Sequence, residues 1–214
     1  MTRLGRDSTS AADIPVQGTQ VAIGYANGNW PWTPADWARF PTIPHLVLDV
    51  NGGDPAADGL DIETGDATIK QAPVWTRQHN AIPGAYPAIL YTSRDNLTPL
   101  FNTLLAAGLH VVHDFRLFIA TLDGTKTVAD MTGVWGIQFA SAAMTGGHYD
   151  ETIVYDDAWK APATPPPPHA RHDAPAPPGL WLDATLTGRG LDDRLWRTDY
   201  DAGAGTWSTP IKEP

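Results

Sequence analysis

The sequence contains no cysteine among its 214 residues. Neither a disulfide framework nor a thiolate metal site can therefore form. Long apolar runs are also missing, since no stretch approaches the roughly 18 apolar residues that cross a membrane. The N-terminal segment MTRLGRDSTSAADIPVQGTQ lacks the apolar core of a secretion signal. These absences predict a soluble chain that has no membrane partner and no ordinary export signal.

Basic residues are scarce. Fourteen lysines and arginines stand against twenty-four aspartates and glutamates, and the formal net charge is −10. A nucleic-acid partner is not expected, because phosphate backbones are bound mainly by clustered lysine and arginine. A neutral glycan or another protein fits this charge better. The nine tryptophans agree with a glycan, because exposed indole rings offer a flat apolar face to a sugar.

Six short apolar runs predict buried β-strands. They are VAIGYANG, HLVLDVNGG, GLDIETGD, AILYTS, FRLFIATLDG and GVWGIQFAS, and each ends in glycine or polar residues. Amphipathic stretches such as NLTPLFNTLLAAG separate some of these runs and predict helices. Strands that alternate with helices favour a parallel sheet. Residues 20–160 are therefore predicted to form an α/β fold, a (β/α) TIM-type barrel that is either complete or truncated, and a doubly wound sheet is the alternative.

The two ends of the chain differ in composition from this central region. Residues 1–19 are polar, small and aperiodic, which predicts an N-terminal arm outside the core. Residues 161–178 are rich in proline and predict an extended linker. Residues 179–214 alternate apolar and polar positions between turn signals, which predicts a small antiparallel β segment of three or four strands. Because so small a sheet buries little surface, this segment and the arm are expected to contact other protein chains.

One predicted strand ends in two carboxylates. Functional groups gather at the C-terminal ends of parallel strands, and residues two apart on a strand face the same side. Asp61 and Glu63 therefore suit the paired carboxyl groups of glycoside hydrolysis. Asp49 and Asp150 are further acids at comparable positions. A structural alternative is that Asp61 or Asp66 caps the following helix and that Glu63 is a solvated loop residue.

The order of the segments resembles the glycoside hydrolase family 25 type of lysozyme and the related glycoside-hydrolase-like domains of actinobacteria and their phages. LDIE resembles the strand with the Asp-x-Glu pair, PAILYTS the next strand, FRLFIAT and VWGIQFAS later strands, and GGHYDETIVYDDAW the closing aspartate segment. The resemblance covers about residues 20–160 and implies a barrel that acts on peptidoglycan. The segment that follows the linker resembles a single blade of a propeller lectin.

The resemblance implies that Glu63 is the general acid and that Asp61 is its partner. The residues expected to bind substrate are Asp49, Tyr91, Gln138, Asp150, Tyr25, Trp30 and Trp32. The two tryptophans are equally compatible with packing. The family has an aspartate at the end of its first strand, where IGYANG has Asn27 at the corresponding place. Either Asp49 replaces that aspartate or the site is impaired, and no cofactor or metal is implied.

Three functions remain open at this point. The chain is a cell-wall glycan hydrolase, an assembly component that keeps the barrel as a scaffold, or a carbohydrate-binding module. The sequence favours a glycoside-hydrolase-like barrel within a phage particle or comparable assembly, found in the virion or in the host cytoplasm before release. A cleft that holds Asp61, Glu63, Asp150 and one more carboxylate supports catalysis, whereas a filled cleft supports a scaffold.

Overall fold

The computed structural model describes residues 2–126 and 133–155, together with the backbone of four strands between residues 184 and 212. The chain divides into two compact units. The first contains the strands up to residue 154, and the second contains the later ones. The linker predicted at residues 161–178 lies outside the described residues.

Eight strands of the described chain close a barrel. They are β1 (Arg3–Asp7), β2 (Val21–Tyr25), β3 (His45–Asp49), β4 (Gly59–Ile62), β5 (Ala88–Ser93), β6 (Phe115–Ala120), β7 (Val134–Ala140) and β8 (Asp150–Val154). Neighbouring strands from β1 to β7 pair in parallel. Strand β8 runs antiparallel to both β7 and β1. The predicted barrel is confirmed, but its sheet is mixed.

Helices are few in the described part of the chain. They are α1 (Pro34–Trp37), α2 (Ala72–Asn80), α3 (Arg94–Ala106) and α4 (Ala142–Thr145), with a 3-10 turn at Ala11–Asp13. Only α2 and α3 among them exceed two turns. The loop that joins β3 to β4 contains no helix. The regular strand–helix alternation of a TIM-type barrel is therefore not confirmed.

Strand β1 corrects the prediction of an N-terminal arm. It lies between β2 and β8, where Gly5 pairs with Val21 on one side and with Thr152 on the other. Farther along, Ala11 and Ile14 are buried in an aromatic cluster beside the barrel. The segment RLGRD has no apolar periodicity. Only its pairing with β8, the last strand of the barrel in the sequence, identifies it as a core element.

The barrel interior is filled by large side chains from most of the strands. The cluster consists of Val21, Ile23, Leu46, Leu48, Ile89, Tyr91, Phe118, Ala120, Trp135 and Val154. Such filling makes a small barrel a packed core rather than a pore. Functional groups are therefore expected at an end of the barrel, where the strands stop and loops begin.

The second unit is an antiparallel sheet of four described strands. They are β9 (Ala184–Arg189), β10 (Leu195–Asp201), β11 (Thr206–Trp207) and β12 (Ile211–Lys212). Strand β10 pairs with β9 over six residues and also pairs with β11 and β12. The expected short antiparallel strands are present. The proposed docking of this segment on another chain stays a prediction.

Candidate active site

A cavity of about 310 Å³ opens at the end of the barrel where β1 to β4 terminate. Because β8 runs in the opposite direction, its first residue reaches the same end. Five acidic residues of the described chain line the cavity, namely Asp7, Asp61, Glu63, Asp66 and Asp150. No lysine, arginine or histidine lines it among residues 2–126 and 133–155. The site is therefore an open acidic cavity and not a filled one.

Strand β4 places Asp61 and Glu63 at this cavity. Asp61 lies within the strand and is 5% exposed, whereas Glu63 follows the strand and is half-buried. Helix α2 begins only at Ala72, with Gln71 in the N-cap position. The alternative in which Asp61 or Asp66 caps this helix is therefore wrong. The Asp-x-Glu pair belongs to the cavity wall.

The surroundings of Asp61 favour its neutral form. Burial raises the pKa of its carboxyl well above the ordinary value, and the neighbouring Glu63, Asp66 and Asp7 raise it further. Its Oδ1 has no contact with solvent and no hydrogen-bond partner among the described residues. A charged oxygen in such a place carries a large desolvation cost. The proton therefore stays on Asp61 at a pH where an ordinary aspartate is ionised.

Asp7 is a cavity residue that sequence reasoning missed. It ends β1 and is 5% exposed. Burial raises the pKa of its carboxyl well above the ordinary value, Asp150 and Glu63 add to this, and a hydrogen bond from Tyr25 opposes it. Its Oδ1, like that of Asp61, lacks a partner among the described residues. The aspartate sought at the end of the first strand is thus present, because RLGRD is the first strand and IGYANG is not.

Glu63 combines a raised pKa with access to the cavity. Burial is the main cause, Asp66 and Asp150 act in the same direction, and a hydrogen bond from Tyr91 lowers the pKa. Partial burial raises the pKa of a carboxyl without removing it from solvent. Glu63 is therefore suited to hold a proton and to deliver it to a bound molecule.

Asp150 has hydrogen-bond donors on both carboxyl oxygens. Gln138 Nε2 donates to its Oδ2 at 2.6 Å, and the backbone amide of Ala142 donates to its Oδ1. Burial raises the pKa of this carboxyl, whereas these two hydrogen bonds oppose the rise. Donors that point at both oxygens favour the charged form. Among the buried and half-buried acids of the cavity, Asp150 is therefore the one whose hydrogen bonds most favour the carboxylate.

Gln138 lies behind the cavity wall. It is 3% exposed, and its Oε1 accepts a hydrogen bond of 2.5 Å from the Tyr91 hydroxyl. Tyr91 itself lines the cavity, as the sequence predicted, but Gln138 does not. The expected contact of Gln138 with substrate is therefore replaced by contacts with two residues of the wall.

Asp49 does not replace a cavity carboxylate. It is fully buried and accepts hydrogen bonds from five donors. The donors are Asn27 Nδ2, Trp75 Nε1 and the backbone amides of Asn51, Gly52 and Asp54. Burial alone would raise the pKa of this carboxyl, but its hydrogen bonds outweigh burial and lower the pKa. Asp49 therefore organises the loop after β3, and its predicted contact with substrate is corrected.

The aromatic residues predicted to bind sugar divide into two groups. Trp30 and Tyr25 line the cavity, and the Trp30 side chain is 57% exposed. Trp32 is buried, and its Nε1 donates to the backbone oxygen of Ser8 at 3.0 Å. Its ring covers Gly24 so closely that an added Cβ would lie 2.4 Å from it. Trp32 is a packing residue, and its predicted contact with substrate is wrong.

Neither a metal-binding cluster nor a membrane-spanning helix is found among the described residues. Among these residues, no group of three or more histidine or acidic side chains is arranged to hold a metal ion. In the same part of the chain, no helix has both the length and the apolar character that crossing a membrane requires.

No protein-family model matches the sequence, and no curated protein is significantly similar to it. An uncharacterized protein from B. stearothermophilus, known from a 1.07 Å crystal structure, superimposes with a TM-score of 0.54 at 14% identity, over 74% of this chain and 98% of that chain. A family 25 glycosyl hydrolase from Bacillus anthracis has a TM-score of 0.47 at 11% identity, over 72% of this chain and 89% of that chain. The first similarity supports the barrel fold.

Proposed function

We propose that this chain hydrolyses a glycosidic bond and that Glu63 is the general acid. The supporting observation is that Asp7, Asp61, Glu63 and Asp150 line one open cavity. The surroundings of these four carboxyl groups differ from one another. Glycoside hydrolysis requires one carboxyl that donates a proton and another that is ionised near the reacting carbon. Carboxyl groups whose pKa values are pushed apart by their surroundings meet this requirement.

The proton donor must keep its proton near neutral pH and must reach the leaving oxygen. Glu63 meets both conditions, because its pKa is raised and its half-buried side chain lines the cavity. Asp61 keeps its proton more firmly, but it is almost fully buried. Glu63 is therefore assigned as the acid, and Asp61 lies two residues before it, within β4.

The ionised partner is Asp150. Its two hydrogen-bond donors favour the carboxylate, which stabilises positive charge that develops on the sugar ring. Asp7, directly opposite on β1, keeps its proton and so avoids a second negative charge beside Asp150. This division places the carboxylate of Asp150 and the reachable acid Glu63 in one cavity, which the exposed Asp66 also lines.

The substrate that we propose is a cell-wall glycan such as peptidoglycan. A cavity without basic residues in the described chain does not favour a polyanionic ligand. Trp30, exposed at the cavity, offers a ring on which a sugar can stack. The choice of peptidoglycan, and of a phage particle or comparable assembly as its setting, rests on the sequence resemblance. The docking of residues 179–214 on another chain belongs to the same proposal.

The test compares wild-type protein with Glu63→Gln on purified peptidoglycan, by release of new reducing ends. Removal of a general acid typically costs about 10²- to 10⁴-fold in rate. The matched control is Glu151→Gln, since Glu151 bonds to Arg6 and does not line the cavity. A Glu63→Gln protein as active as wild type would exclude Glu63 from the mechanism.

A carbohydrate-binding module is the second candidate, and the exposed Trp30 is the observation that favours it. In that case the wild-type protein binds peptidoglycan in a sedimentation assay but releases no reducing ends. Glu63→Gln then leaves binding unchanged, whereas Trp30→Ala weakens it.

A further inference from the structure

A chain of side-chain contacts runs from Asp150 to Glu63 behind the cavity. Gln138 Nε2 donates to Asp150 Oδ2 at 2.6 Å, and Tyr91 donates to Gln138 Oε1 at 2.5 Å. Tyr91 and Glu63 line the same cavity, and hydrogen bonding by Tyr91 lowers the pKa of the Glu63 carboxyl. Gln138 and Tyr91 are 3% and 7% exposed. These contacts are therefore shielded from competition by water.

The direction of each hydrogen bond follows from the chemistry of the groups. A carboxylate only accepts, so Asp150 requires the NH₂ end of the Gln138 amide. The carbonyl end of the amide then faces Tyr91 and can only accept a hydrogen bond. The single hydroxyl proton of Tyr91 is thereby directed at Gln138.

Two acceptors therefore compete for the Tyr91 proton. When Glu63 is protonated, it does not require the Tyr91 proton, and Tyr91 donates to Gln138. When Glu63 is ionised, it requires the Tyr91 proton for itself, and the buried carbonyl of Gln138 loses its donor. A buried acceptor without a donor is costly. The ionised state of Glu63 therefore disrupts the hydrogen bond between Tyr91 and Gln138, and the protonated state leaves it intact.

We propose that Gln138 is a positioning residue that acts through Tyr91 to keep the proton on Glu63. The consequence of this coupling for catalysis rests on the function proposed above. The coupling between these three side chains itself exists whether or not the protein is a hydrolase.

Other titratable groups also face Glu63. They are Asp66 in the following loop, Asp61 on β4, Asp7 on β1, Tyr25 on β2 and Asp150 on β8. Of these groups, Asp66 and Asp150 favour the protonated form of Glu63 by charge repulsion through space. That effect does not require the hydroxyl of Tyr91, and this difference separates it from the proposed coupling.

The experiment titrates Glu63 directly by carboxyl ¹³C chemical shift in full-length protein. Selective labelling is simple, because the sequence has only three glutamates, Glu63, Glu151 and Glu213. Gln138→Met frees the Tyr91 proton for ionised Glu63, so the midpoint of the Glu63 titration should fall. Tyr91→Phe removes the donor to ionised Glu63, so its midpoint should rise. Opposite shifts from neighbouring residues are not expected of a general loss of packing.

The double variant Gln138→Met with Tyr91→Phe shows whether Gln138 acts on Glu63 through the Tyr91 hydroxyl or through the charge of Asp150. If Gln138 acts through Tyr91, its replacement no longer shifts the Glu63 midpoint once the hydroxyl is gone. An equal shift in both backgrounds would show that Gln138 acts through the charge of Asp150, and would overturn the proposal. Glu151, which bonds to Arg6, is the internal reference and should not move.

A measurement on the wild-type protein covers the case in which the Gln138 variant does not fold. The side-chain amide ¹⁵N shift of Gln138 should titrate with the midpoint of Glu63, and this response should vanish in Tyr91→Phe. A Gln138 amide ¹⁵N shift that does not change as Glu63 titrates would overturn the proposal. If the titrations behave as expected but no glycan is cleaved, the coupling stands and the hydrolase function fails. If the protein is active, the alkaline limb of its pH profile should follow the Glu63 midpoint in each variant.

Discussion

Asp7 at the end of β1 lies directly opposite Asp150 at the start of β8, in an antiparallel pair. Like charges placed directly opposite across two strands destabilise a sheet. The structure accommodates the pair by burial, which raises the pKa of Asp7 well above its ordinary value, and by two hydrogen-bond donors on Asp150. The arrangement lowers the stability of the sheet, and it gives the cavity both protonated and ionised carboxyl groups.

The raised pKa values predict a pH-dependent cost in stability. The ordinary pKa of aspartate is 3.8, and the folded pKa of Asp61 lies well above it. The stabilisation associated with its proton is complete below the unfolded pKa and is lost as pH rises through the folded pKa. Asp61→Asn should therefore gain stability relative to wild type as pH rises from mildly acidic to neutral.

Urea unfolding at closely spaced pH values measures this difference. The exposed Asp13→Asn is the control and should show no such trend. A difference between Asp61→Asn and wild type that is independent of pH would contradict the assignment of a neutral Asp61.

The loop after β3 should depend on Asp49. Asp49→Asn replaces the acceptor of five hydrogen bonds, so we expect a loss of at least about 3 kcal/mol in the free energy of unfolding. Because its folded pKa is lowered below 3.8, the contribution of Asp49 is present above that pH and declines as pH falls through the folded value. Asp54→Asn in the same loop is the control, since its side chain bonds one exposed backbone amide. Equal losses from both variants would mean that Asp49 does not organise the loop.

Replacement by alanine should lower stability at Trp32 and glycan affinity at Trp30. Trp32→Ala removes a buried ring that covers Gly24, and we expect a loss of about 3–5 kcal/mol in stability. Trp30→Ala removes an exposed ring, so stability should change little while glycan affinity falls. Chemical unfolding and peptidoglycan sedimentation test the two expectations separately. Glycan binding that survives Trp30→Ala would remove this residue from the site.

Deleting residues 165–214 should leave a folded barrel. These residues belong to the second compact unit, whereas β1 to β8 close the barrel without them. The truncated protein should keep its near-ultraviolet circular dichroism and its cooperative unfolding. Association with other chains, which we assign to residues 179–214, should be lost in sedimentation velocity. A truncated protein that unfolds without cooperativity would show that the barrel needs the second unit.

The six apolar runs each became a strand, because short continuous apolar segments favour strands that are buried in a barrel. The spacing of Asp61 and Glu63 likewise brought both to the cavity, since strand geometry places positions two apart on one side. For these features, local pattern and final structure agree, and the amino-acid sequence was sufficient to predict them.

The position of Asp7 was decided only by the tertiary structure. Strand β1 pairs with β8, the last strand of the barrel in the sequence. Local periodicity does not indicate a partner that is so distant in the sequence. The same holds for the direction of β8, which brings Asp150 to the cavity end.

The sequence by itself determined six strands, the antiparallel character of the second unit and the acidic pair on β4. Tertiary structure decided that Asp49 binds loop amides, that Trp32 covers Gly24, and that Asp7 completes the acidic cavity. The physical reason is that an acidic or aromatic side chain has the same local pattern whether it faces a cavity or the protein interior. Its role depends on which donors, rings and strands the closed barrel brings against it.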